Sequence, residues 1–169
     1  MVELRRAGID DVEAILAWEN DPKHWLVSDT IAPFSREQIV EFVLNGNDLY
    51  QSGQMRFMIV FEGEVVAGCI DLFDFNPKNE RVGIGLLIDE NYQGKGIGSK
   101  AIELVVRYCF ETIQVHSIYA ESTVDNKASC RAFESNDFEP VGMKKDWLKS
   151  GNDFVDLLIY QKINTNEAR

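Results

Sequence analysis

The segment Gln93-Gly94-Lys95-Gly96-Ile97-Gly98-Ser99 places glycines at every second position between a stretch with strand periodicity and an apolar stretch with helical periodicity. Glycines spaced this way let successive backbone N–H groups turn toward one point with no side chain in the way. A helix N-terminus directly behind them adds partial positive charge. Lys95 and Lys100 add full charges, so a phosphate or diphosphate is the expected guest. A tight turn alone needs fewer glycines. A nucleoside-triphosphate loop of the Walker type requires Gly-Lys followed by Ser or Thr at its end, whereas Gly98 is followed directly by Ser99. A dinucleotide fingerprint comes closer, through Gly94, Gly96 and Ser99 and an acid, Glu121, that ends the next strand. Against it, the loop follows four predicted strands instead of the first, and no second βαβ half comes after it.

Upstream of the loop, Val82, Ile84, Leu86 and Ile88 alternate with Gly83, Gly85 and Leu87, a strand with two side-chain-free positions on one face. Downstream, 97–110 is apolar on most faces and reads as a buried helix lying on a sheet. Arg56 to Phe61 and Val65 to Phe75 flank Glu62-Gly63-Glu64 and predict a hairpin, with a turn at Asn76 to Asn79. Val2 to Arg6 predicts a short edge strand. Asp10 with Glu13 reads as an acidic capping box opening a helix with Val12, Ile15 and Leu16 inward. Ser35 with Gln38 is a stronger capping box, with Phe34 and Ile39 as its hydrophobic staple; Ile39, Phe42 and Val43 face inward and Gly46 ends that helix. Ser117 to Glu121 predicts a strand, Asn126 to Ser135 a helix, and Phe138 to Trp147 with Phe154 to Gln161 a closing hairpin. Hairpins first, one β-loop-α-β crossover in the middle and a hairpin last give an α+β or mixed-sheet α/β domain.

A chain of 169 residues with 45% hydrophobic and 27% charged residues fits one globular domain, 1–163, with a polar tail, 164–169. Its formal net charge of −11 repels phosphate backbones and argues against nucleic acid as a partner. No apolar run reaches the roughly 18 residues of a membrane span, and the acids near the N-terminus do not suit a signal peptide, so a cytoplasmic location is expected and no membrane partner. Cys69, Cys109 and Cys130 are odd in number and lack any CxxC spacing, which supports neither a disulfide set nor a metal site.

Gln93, Gly96 and Gly98 form a Gln-x-x-Gly-x-Gly pattern, and Asn126-Lys127-Ala128-Ser129 opens a later helix. Together, in that order, they resemble the GCN5-related N-acetyltransferase (GNAT) superfamily over essentially the whole chain. The nearest groups are the ribosomal-protein N-terminal acetyltransferases and the spermidine acetyltransferases, through Gly85 to Asp89, Tyr92 to Gly96 and the closing Trp147 to Asp156 hairpin. The resemblance implies a mixed, mostly antiparallel sheet of about seven strands flanked by about four helices and splayed in the middle to hold CoA. It implies that the main chain of Leu86, Leu87 and Ile88 pairs with the pantetheine arm. The diphosphate would rest on the amides of Gln93, Gly94, Lys95, Gly96, Ile97, Gly98 and Ser99. Asn126 would bond the pantetheine or cap its helix; Lys127 and Arg131, near that helix start, would meet CoA phosphates or, as surface charges more often are, simply be solvated.

Acetyl transfer to an amine needs a neutral amine, a polarised carbonyl and a proton for the departing thiolate. Direct attack meets these needs, whereas no cysteine sits in a motif that would activate it. Many relatives carry a tyrosine seven residues after the Asn126 position, where this chain has Phe133, and a glutamate where it has Val82. Ser129 is the substitute proton donor; Glu80, on the expected strand face two residues before Val82, is the substitute base, with Asp71 and Asp146 as further candidates. Trp25, Phe34, Glu37, Glu41, Phe73 and Trp147 form the pool for acceptor contacts. The reading is an acetyl-CoA-dependent N-acetyltransferase, without a metal, acting on a protein N-terminus or a small polyamine-like amine, with a homodimer as one assembly. A catalytically silent acyl-CoA sensor and a Rossmann-type oxidoreductase remain as alternatives.

Overall fold

The computed structural model describes residues 1–165, so of the expected tail at 164–169 only 166–169 lie outside the described residues. Seven strands form one sheet: β1 (Val2–Arg6), β2 (Met55–Phe61), β3 (Val65–Asn76), β4 (Arg81–Ile88), β5 (Ser117–Thr123), β6 (Glu139–Ser150) and β7 (Asp153–Ile163). Their order is β1-β2-β3-β4-β5-β7-β6. Every neighbouring pair is antiparallel except β4 and β5, which the crossover makes parallel. One parallel pair in an otherwise antiparallel sheet is not the doubly wound arrangement of a dinucleotide-binding fold, which removes the Rossmann alternative.

The helices are α1 (Val12–Glu19), α2 (Arg36–Glu41), α3 (Leu49–Ser52), α4 (Ile97–Arg107) and α5 (Lys127–Glu134), with α2 and α4 each running on into a wide turn. On one face, Ile97, Ala101, Ile102 and Val105 of α4 and Phe133 of α5 pack on Ile70, Leu72, Ile84 and Ile118. Each large apolar side chain buried there contributes about 1.5–3 kcal/mol. On the other face, Val12 and Ile15 of α1 and Ile39 of α2 pack with Met58 and Cys69.

The expected capping box at Ser35 is present: Gln38 N–H donates to Ser35 Oγ at 3.2 Å, and Ser35 N–H to Gln38 Oε1 at 2.8 Å. That expected at Asp10 and Glu13 is not. A short turn at Ile9–Asp11 precedes α1, and Asp11 is the capping acid, accepting from Gly8 N–H at 2.8 Å and from Arg5 at 2.7 and 2.8 Å. Glu13 instead bonds Arg36 at 2.6 Å across to α2. Gly83 is approached by the chain itself: a Cβ there would stand 2.4 Å from the Phe73 ring and 2.8 Å from that of Tyr119.

Candidate functional site

β4 and β5 separate partway along their length. They pair from Arg81/Ser117 to Ile84/Ala120 only, while β4 continues to Ile88 on β3 and β5 continues to Thr123 on β7. The sheet is therefore split into a wedge that opens toward the C-terminal end of β4. Leu87 does not line it: its carbonyl oxygen lies 2.1 Å from where a Gly68 Cβ would be, facing β3. Because backbone groups alternate in direction along a strand, Leu86 and Ile88 are the residues whose main chain turns toward the wedge. The Ile88 carbonyl accepts from Gln93 Nε2 at 3.1 Å, so this glutamine side chain fastens the loop to the strand.

At the open end lies the glycine loop. Gly94 and Gly96 have φ of 74° and 75°, a left-handed backbone that side chains rarely adopt, and the space where their Cβ atoms would be is open. Gly98 has a different reason: its Cβ would stand 3.0 Å from Leu86 Cδ2, so the bare position lets α4 start tight against β4. No side chain caps α4. Its first N–H groups lack intrahelical partners and are free to meet an anion. Lys95 Nζ rests 5.0 Å from the Tyr92 ring centre. Lys100 Nζ bonds Glu103 at 2.8 Å and not the loop. Ser99 Oγ reaches Ser135 Oγ at 3.1 Å and Asn136 Nδ2 at 3.0 Å, tying the start of α4 to the end of α5. The open cradle, the uncapped helix start and the free strand edge fit a diphosphate-bearing thioester.

α5 follows β5 beside the same opening. Asn126 caps it, accepting from Ser129 N–H at 3.1 Å, while the Ser129 hydroxyl is uncommitted among the described residues. Phe133 is 2% exposed, packed between Phe138 and Tyr160. Lys127 Nζ bonds the Val124 carbonyl at 2.6 Å. Glu80 is not brought to the wedge. It precedes β4 in a left-handed turn, φ 50°, with its carbonyl accepting from His116 and Ser117 N–H, so it does not share the strand's alternation. It lies four strand positions, about 13 Å, from the residue where the wedge opens. Asp71 is engaged by Arg56 at 2.6 Å through both oxygens, and Arg56 also binds Glu19 at 2.7 Å, which locks α1 to the sheet. Burial pushes the Cys69 and Cys109 thiols up to about 12, which removes them as nucleophiles at neutral pH.

A groove of about 600 Å³ runs from the wedge along the paired half of β4 and β5, lined by Asp74, Phe75, Arg81, Tyr119, Glu121 and Ile159 among others. Glu121, at the first β5 position past the last pair with β4, bonds Lys144 of β6 at 2.6 Å. The Tyr119 hydroxyl donates to Asp74 Oδ2 at 2.7 Å. Burial and the Asp74 carboxylate hold that phenol protonated well above its ordinary range. Of the expected acceptor pool, Phe73 meets the groove-lining Tyr119 edge-on at 5.7 Å, and Trp147 carries Lys144 Nζ over its ring at 4.9 Å. Trp25 is turned away to the Glu19 carbonyl at 2.7 Å. No local sequence signal marks the groove, because its walls come from β3, β4, β5 and β7; alternation alone put Tyr119 and Glu121 on one face of β5.

A sequence profile for the acetyltransferase (GNAT) domain matches residues 2–139. An N-acetyltransferase called p20, from Bacillus licheniformis, is 26% identical over 168 residues, 98% of this chain and 94% of that protein. The ribosomal-protein-serine acetyltransferase of Escherichia coli is 25% identical over 115 residues, 68% of this chain and 64% of that one. Among solved structures, a ribosomal L7/L12 α-N-protein acetyltransferase in complex with coenzyme A superposes with a TM-score of 0.80 at 28% identity over 96% of this chain and 93% of that one. The spermidine N-acetyltransferase of Vibrio cholerae in complex with CoA and spermine does so with a TM-score of 0.84 at 18% identity, covering 96% and 95%.

Proposed function

We propose, from the premise that the chain belongs to the acetyltransferase (GNAT) family, that it moves an acetyl group from acetyl-CoA to a primary amine by direct attack with both substrates bound. The observation that carries this reading is the parting of β4 from β5 after Ile84 and Ala120, with an uncapped, glycine-lined helix start at its mouth. Acceptors of the two kinds named in relatives, a ribosomal protein and spermidine, support a protein N-terminus or a small polyamine-like amine.

In this reading the amides of Gln93, Gly94, Lys95, Gly96, Ile97, Gly98 and Ser99 gather around the diphosphate. The main chain of Leu86 and Ile88 aligns the pantetheine arm, with the Asn126 amide group at its side. Glu121 takes the base role expected of Glu80, because it stands where the wedge meets the groove. It accepts the proton that the attacking nitrogen must lose, either directly or through a water. As the new C–N bond forms and the C–S bond breaks, the Ser129 hydroxyl passes a proton to the departing sulfur and takes one back from water.

The test is calorimetry with acetyl-CoA followed by thiol release with a panel of amines and N-terminal peptides. Binding with amine-dependent thiol release supports the transferase. Binding without release from any acceptor turns the reading into that of a silent sensor, and absence of binding ends it.

A further inference from the structure

The groove continues past Glu121 to Tyr119, one strand repeat away on the same face of β5, and the fold fixes Tyr119 from three sides. Its ring meets Phe73 edge-on at 87°. Beneath both rings lies Gly83, where any Cβ would collide. Its hydroxyl proton is committed to Asp74, itself held at φ 49° where the register of β3 slips against β4. Such slips re-aim a side chain at a cost in backbone strain. A phenol that donates to a carboxylate is a strengthened hydrogen-bond acceptor. What it presents to the groove is therefore its lone pairs, next to an Asp74 Oδ1 that has no partner among the described residues. At Tyr119 and Asp74 the groove offers acceptors to an N–H donor, with the donor-only guanidinium of Arg81 in the same lining. Glu121 is matched by Lys144, and Arg81, also in the lining, makes no ion pair among the described residues.

We infer that Tyr119, fixed by Asp74, selects acceptors with a second cationic nitrogen: the reacting amine sits at Glu121 and the other nitrogen is held by the Tyr119–Asp74 pair. This inference rests on the transferase reading above and adds the specificity of its acceptor groove. Along the backbone, Tyr119 and Glu121 stand one strand repeat apart, about 6.6 Å, and four methylenes hold two nitrogens a comparable distance apart. Three four-carbon acceptors separate the possibilities: 1,4-diaminobutane, butylamine and 4-aminobutanoate. They end in a second ammonium, a methyl group and a carboxylate.

The readout is the ratio of kcat/KM between acceptors, which a uniformly damaged enzyme would not change. The wild-type protein is expected to favour 1,4-diaminobutane over butylamine about tenfold or more, and Asp74→Asn and Tyr119→Phe each to bring that ratio close to one. Asparagine tolerates the left-handed backbone, so Asp74→Asn keeps the fold. A wild-type ratio near one, a preference for 4-aminobutanoate (which would make Arg81 the selecting group) or an unchanged ratio in both variants overturns the inference. Thiol release with those outcomes leaves the transferase reading standing. No release from these or any other amine removes the transferase reading and this inference with it.

Discussion

Phe133 stands where the resemblance places a proton-donating tyrosine, and the structure gives the position to the core, 2% exposed and stacked on Tyr160. A buried ring without a hydroxyl has no part in protonating a thiolate, and the donor proposed in its place is the uncommitted Ser129 hydroxyl. Ser129→Ala is expected to lower kcat about a hundredfold with acetyl-CoA affinity unchanged, as measured by steady-state kinetics beside calorimetry. Unchanged turnover would reduce Ser129 to a residue of the helix cap. Glu121→Gln is expected to lower kcat by a similar factor with acetyl-CoA affinity unchanged; unchanged turnover would return the base role to another group. The cysteines are expected to be silent. With Cys69, Cys109 and Cys130 all buried and two of the thiols pushed up to about 12, iodoacetamide on the native protein should leave activity intact.

At the scale of elements, the parts legible in the sequence are those whose signal is local. The Ser35 cap and the Gly63 hairpin each state their geometry within a few residues and are found as expected, and the glycine loop joins β4 to α4 where its sequence places it. The start of α1 was less legible because Asp10, Asp11 and Glu13 offer competing acids, and tertiary position decides among them: Arg5 on β1 selects Asp11. Burial pushes the Asp11 carboxyl up, but the Arg5 guanidinium and Gly8 N–H outweigh that and hold it below the usual range. A depressed folded-state value stabilises the protein above the unfolded value of about 3.9 and loses that contribution as pH falls through the folded value. Asp11→Asn should therefore cost about 1–3 kcal/mol at pH 7. By urea melts, the gap to wild type should shrink at pH 3; a gap independent of pH would assign the effect to packing. Gly68 was invisible in sequence for another reason: what requires a glycine is the Leu87 carbonyl of a different strand.

The molecule as a whole consists of two half-sheets, β1 to β4 and β5 with β7 and β6, joined edge to edge by four residue pairs and bridged on one face by α4 and α5. Nothing in the sequence announces that β7 lies between β5 and β6, because strand order is set by long-range pairing. The Tyr119 groove, assembled across that junction, is illegible for the same reason. In the proposed mode, a ligand seated in the wedge touches both halves, bonding the edge of β4 on one side and α5 on the other, so it should couple to global unfolding. At a hundred times its dissociation constant, a ligand that binds only the folded state adds about 2.7 kcal/mol. For a chain of this size, that raises the unfolding midpoint by about 5–10 °C. Acetyl-CoA and CoA are expected to give such a shift in differential scanning fluorimetry, and NAD none. Gly96→Val, which forces a β-branched side chain onto a backbone of φ 75°, should lower the midpoint of the free protein by a few degrees and abolish the ligand-induced rise. A full rise in that variant, or an equal one with NAD, would show that the ligand is held elsewhere than on the amides between residues 93 and 99.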